Sequence, residues 1–137
     1  MKARVMWSGE RTFLGESGTG NTITLGTTER EGNRISPSPM ELVLIGTGGC
    51  AAWDVVNILE KGKQPINGCI VELDAERSSE EPAVFTKIRM HFVVKGQGLD
   101  SNKVKRAIEL SATKYCSASA MLSKTADITH DFEVVEV

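Results

Sequence analysis

Three cysteines, Cys50, Cys69 and Cys116, are the residues of this chain best suited to covalent chemistry. A thiolate is a nucleophile and a metal ligand. An odd count with no C-x-x-C pair argues against a disulfide scaffold and against a zinc site. The choice lies between inert core thiols and redox groups. Cys50 closes the run Gly46-Thr47-Gly48-Gly49-Cys50. A glycine inside a helix costs about 0.5–1 kcal/mol relative to alanine, so several together need a reason. No Lys-Ser or Lys-Thr follows, which argues against a phosphate-cradling loop. Gly46, Gly49 and Cys50 share one helical face by their i, i+3 and i+4 spacing. With no bulk on it, that face suits either a close helix crossing or the approach of a small reactant. Cys116, in Lys114-Tyr115-Cys116-Ser117-Ala118-Ser119, suits a small core thiol or a resolving partner for Cys50. Cys69 alternates with Val71 and Leu73 and is expected in the core.

Other chemical groups are sparse. His91 and His130 stand isolated, and no cluster has ligand spacing, so no metal and no cofactor is expected. No G-x-S-x-G motif is present. Asp54 lies at i+4 from Cys50, on its face of the helix. An ionised carboxylate there disfavours the thiolate and slows attack.

The elements that must position these groups follow from periodicity and turn signals. Residues 3–8, 11–15 and 20–25 predict three short strands in an antiparallel meander, with turns at Ser8-Gly9 and at Ser17 to Asn21. Residues 26–37 predict an exposed loop. Ser38 and Pro39 open a helix as N-cap and first helical residue, and Glu41 completes a capping box. The helix runs to about Lys61, where Gly62 stops it. Nearly every side chain from Met40 to Leu59 is apolar or small. Such a helix must be covered on most faces, which a chain this short does poorly alone, so a wrapping homodimer is expected. Strands at 69–77 and 83–95 follow. A helix capped by Asp100 or Ser101 carries Val104, Ala107, Ile108, Ser111, Ala112 and Tyr115 on one stripe. A short helical stretch at 118–123 and a last strand at 127–136 complete an α+β order, unlike a doubly wound α/β fold.

Composition narrows the function. The length of 137 residues fits a single domain. Hydrophobic residues at 40% and charged residues at 25% exclude a disordered tail or a fibre. The net charge is −2, with Lys and Arg scattered, so no nucleic-acid partner is expected. No apolar run reaches the roughly 20 residues of a spanning helix, so no membrane partner is expected. The start turns polar by Ser8, without a signal-peptide core, which makes the cytoplasm the expected compartment.

Taken in order, Ser36-Pro37-Ser38-Pro39-Met40-Glu41-Leu42, Gly48-Gly49-Cys50, Pro82 to Thr86, a ladder ending at Gly96, Arg106 to Ser111 and Lys114-Tyr115-Cys116-Ser117 resemble the OsmC / organic hydroperoxide resistance (Ohr) superfamily. The likeness spans nearly the whole chain and is nearest to an OsmC-like bacterial subgroup. It implies an OsmC-like domain over residues 1–137, with antiparallel sheets packed around long central helices in an intertwined homodimer. It implies a thiol peroxidase for organic or inorganic hydroperoxides, acting in oxidative stress defence. Cys50 would be the peroxidatic thiol and Cys116 the resolving one. A dithiol reductant of lipoyl-protein or thioredoxin type would restore the pair. In the family, an arginine held by a glutamate lowers the thiol pKa, and that glutamate directly follows the helix-opening proline. Here Met40 stands at that place. Glu41 is the next residue, on the opposite side of the helix from Cys50. Arg11 is the nearest candidate for the arginine by position, and Asp54 is a third accessory candidate. The rival expectation is a non-catalytic dimer that binds a small hydrophobic ligand in its interface pocket. A cation at the thiol, from Arg11 or Lys114, separates the two.

Overall fold

The computed structural model describes all residues, Met1–Val137. The chain divides into two compact units, Met1–Ile45 and Gly46–Val137, and the boundary falls inside its long helix.

In the first unit, strands β1 (Ala3–Trp7), β2 (Thr12–Ser17) and β3 (Thr22–Gly26) form the expected antiparallel meander in the order β1-β2-β3. Gly26 has φ +142°, and a Cβ there would overlap the Arg11 carbonyl, so only glycine closes β3 onto the start of β2. The buried hydroxyl of Thr28 ties the same corner. It accepts the Arg11 N–H at 3.1 Å and the Thr12 hydroxyl at 2.6 Å. The expected loop at 26–37 contains a small hairpin, β4 (Glu29–Arg30) with β5 (Asn33–Arg34), closed by an Arg34–Glu29 ion pair at 3.1 Å. Its two-residue strands are too short for periodicity to reveal.

Helix α1 (Pro39–Lys61) has the bounds its cap and stop signals predict. The capping box is closed in both directions. The Glu41 N–H donates to Ser38 Oγ at 3.1 Å, and the Ser38 N–H donates to Glu41 Oε1 at 2.9 Å. By length and composition α1 is able to cross a membrane, with a mean hydropathy of 1.6 over its best window. The expectation that no run reaches that length undercounted the small residues, Gly, Ala and Thr, between the large apolar ones. Thr47, Gly48, Ala51, Asp54, Val55 and Leu59 are buried, and they form one face.

The second unit is built on β6 (Ile66–Arg77), β7 (Phe85–Gly96) and β8 (Asp127–Glu136), in the order β6-β7-β8. β6 and β7 are an antiparallel hairpin, whereas β8 runs parallel to β7. A parallel neighbour requires a crossover. It is supplied by α2 (Ser101–Leu110), a π-helical turn (Ser111–Tyr115) and α3 (Ser117–Leu122). Asp100 caps α2 by accepting the Asn102 N–H at 2.9 Å. Ile88, Met90, Phe92 and Val94 of β7, Val104, Ala107 and Ile108 of α2, and Val55 and Leu59 of α1 form the core. A Cβ on Gly48 would lie 2.6 Å from Leu73 Cδ1, so this glycine permits the close approach of α1 to β6.

Candidate functional site

Cys50 and Cys116 meet in the second unit. Cys50 is half-buried in the middle of α1, and Cys116 is buried at 3% exposure. The Cys50 side chain is near enough to act on the Cys116 thiol, and both thiols are free. Cys116 is also the N-cap of α3, where its Sγ accepts the Ser119 N–H at 3.4 Å. Burial pushes the Cys116 thiol up, and the Cys50 sulfur adds to this. The Ser119 N–H and hydroxyl oppose that rise, since both favour a thiolate at the helix N-terminus. The Ser119 hydroxyl is otherwise unpartnered in the core.

The delivery of Cys116 depends on the π-helical turn. The Cys116 N–H donates to the Ser111 carbonyl at 2.9 Å, an i to i+5 bond that inserts one residue into the helical register. Ser111 is 2% exposed and donates through Oγ to Asp54 Oδ2 at 2.9 Å. Asp54 is therefore a buried carboxylate engaged by a hydroxyl 57 positions away. Periodicity placed Ser111 on the buried stripe, but nothing local identified it as the partner of Asp54.

Unlike Asp54, the other accessory candidates, and Lys114, are engaged locally. Glu41 is held in the capping box, where the Ser38 N–H and hydroxyl keep its carboxyl below the usual range. Arg11, in the first unit, donates to the Glu10 carbonyl at 3.1 Å and borders a shallow cavity with Thr27, Thr28, Glu29 and Arg30. Lys114 places its ammonium 5.2 Å from the Tyr115 ring centroid, a cation–π contact that turns it to its own neighbour.

Two expectations need correction. Cys69 is half-buried, and it lines an open cavity of about 390 Å³ with Gly49, Ala52, Trp53, Val56, Asn57 and Glu60. Strand alternation gave the correct face, but the cavity between Cys69 and the α1 residues around Gly49 and Ala52 leaves the thiol partly open. Burial pushes the Cys69 thiol up. His91 is not isolated. Its Nδ1 lies 2.8 Å from Asp131 Oδ1 and its Nε2 lies 3.3 Å from Glu133 Oε1. Both carboxylates raise its pKa. The parallel β7–β8 pairing, which sets His91 opposite Asp131, is not visible in local spacing. His130 stacks on Phe92 with centroids 6.1 Å apart, and burial lowers its pKa.

A mixed α+β unit with two adjacent thiols, one on a long apolar helix and one at the start of a short one, defines a class. The chain belongs to the OsmC-like protein family, whose model matches residues 31–131. It is 50% identical to protein YhfA of Escherichia coli strain K12 over 137 residues, covering 98% of each chain. Among solved structures, a hypothetical protein from Aquifex aeolicus VF5 is 29% identical, with a TM-score of 0.85 over 99% of this chain and 96% of that one. The organic hydroperoxide resistance protein OhrB of Bacillus subtilis shares the fold, at 16% identity and a TM-score of 0.64 over 97% and 98% of the two chains.

Proposed function

We propose that the protein is a two-cysteine thiol peroxidase acting on small organic or inorganic hydroperoxides in oxidative stress defence. The adjacency of free Cys50 and Cys116 carries this reading. The Cys50 thiolate attacks the peroxide O–O bond and takes one oxygen as sulfenic acid. The other oxygen leaves as the alcohol or water after protonation. Cys116 then attacks the Cys50 sulfur, forming the disulfide and expelling water. A dithiol of lipoyl-protein or thioredoxin type reduces the disulfide and is itself oxidised. The family membership and the shared fold of OhrB support the same chemistry.

The working form is a homodimer in the cytoplasm. Its support is α1, where Ile45 is 58% exposed and Trp53 68%, on the same open face as Gly46 and Gly49. Nothing lies within 4 Å of a Cβ placed on either glycine. A second copy is proposed to cover this face. Arg11 is the proposed source of the cation that activates Cys50 in the dimer, and Glu41, engaged in its own cap, is not what holds it.

The second reading is a dimer that binds a small hydrophobic ligand without turnover. It is favoured by the open cavity beside Trp53 and by the turning of Lys114 away to Tyr115. Consumption of cumene hydroperoxide with a dithiol separates the two. Turnover that is lost in Cys50→Ser supports the peroxidase. Stoichiometric binding of an apolar ligand with no peroxide consumed supports the binder.

A further inference from the structure

We propose that Asp54 and Ser111 form a clamp that sets Cys116 against Cys50, which makes the buried carboxylate a positioning group for disulfide closure. This rests on the two-thiol reading above and assigns the step that Asp54 serves. Asp54 lies one helical turn after Cys50 on α1 and is 7% exposed. Its Oδ2 accepts from the hydroxyl of Ser111 at 2.9 Å. The carbonyl of that same serine accepts the N–H of Cys116 at 2.9 Å. Ser111 is thus joined by its side chain to the helix that carries Cys50, and by its backbone to Cys116 itself.

The turn needs such an anchor. An i to i+5 turn is rare and is found mostly as single turns at functional places. Ser111 opens this one and Cys116 closes it. A buried carboxylate, in turn, is costly without a donor, and Ser111 supplies one. A disulfide tolerates little error, because its Cβ atoms must come to about 3.5–4.5 Å. Misplacement of about 1 Å costs up to 10²-fold in a positioned reaction. The clamp acts on closure, after the first sulfur has been oxidised.

The test uses a symmetric nitroaryl disulfide on the full chain in a Cys69→Ser background. The half-buried Cys50 thiolate attacks first, forms a mixed disulfide and expels one coloured aryl thiolate. The Cys116 thiolate then attacks the Cys50 sulfur, closes the protein disulfide and expels the second. Both thiol protons pass to solvent. Two phases of colour therefore separate attack from closure without any peroxide. Ser111→Ala removes the donor, and Asp54→Leu removes the acceptor at similar volume. Each is expected to slow the second phase by about ten- to a hundredfold relative to the parent chain. Asp54→Asn keeps an oxygen acceptor and should close near the parent rate. A variant of either of the first two kinds that is folded by its melting transition and closes at the parent rate overturns the clamp. Release of a single aryl thiolate by the parent chain overturns the clamp and the two-thiol reading together. Normal closure in a protein that ignores hydroperoxide overturns the peroxidase reading alone.

Discussion

Cys116 is the thiol whose environment the fold controls most closely. Burial and the Cys50 sulfur hold it in the protonated form, and the Ser119 N–H recovers part of the loss. Attack on an oxidised Cys50 needs the thiolate. Disulfide closure should therefore keep accelerating as pH rises past about 8.5, the ordinary cysteine value, with no plateau below it. Rapid-mixing measurements of closure from about pH 6 to 9.5 check this, and a plateau near pH 7 would mean a thiol shifted the other way. The cysteine types and their order in the chain were legible in the sequence, and a pairing of Cys50 with Cys116 was one of two alternatives it left open. The bond that links Asp54 to Ser111 was not, because it joins residues 57 apart across an inserted helical residue that no periodicity reports.

At the scale of elements, α1 is specified by local chemistry and β8 by distant chemistry. The Ser38–Glu41 box joins residues three positions apart, so both its composition and its position could be read directly. Ser38→Ala should lower stability by about 1 kcal/mol, measured by urea unfolding. The outer face of the second sheet behaves differently. His91 has a carboxylate at each ring nitrogen, and only the protonated ring can donate to both. Its folded pKa is raised, so its contribution is fully present below the unfolded value of about 6.5. That contribution is lost as pH rises through the folded value. His91→Gln should therefore lower the melting temperature more at about pH 5.5 than at about pH 8.5. An equal loss at both pH values would remove the charge from the account. Local spacing left His91 isolated, because its partners come from the parallel β8, across the whole crossover.

For the whole molecule, the apolar circumference of α1 remains the main sequence signal that a single chain does not satisfy. Only six of its residues, all on one face, are buried. If a second copy covers the opposite face, the interface should exceed about 2,000 Å². Gly49 has open space at its Cβ position within one chain. Gly49→Leu should leave the isolated fold intact and raise the monomer fraction in light scattering at low micromolar concentration. A variant as dimeric as the parent would place the interface elsewhere. Gly46, Gly49 and Cys50 could be recognised as a face without bulk, but not the open space that a single chain leaves beside both glycines. That depends on Leu73 meeting Gly48 instead of its neighbours.

The identity of the redox pair is tested most directly by mass spectrometry after one equivalent of cumene hydroperoxide, followed by alkylation and peptide mapping. The chain should lose two hydrogens and yield a linked Cys50–Cys116 peptide, while Cys69 is recovered alkylated. Recovery of Cys50 and Cys116 both alkylated, with peroxide unconsumed or with Cys69 carrying the oxidation, would contradict the assignment.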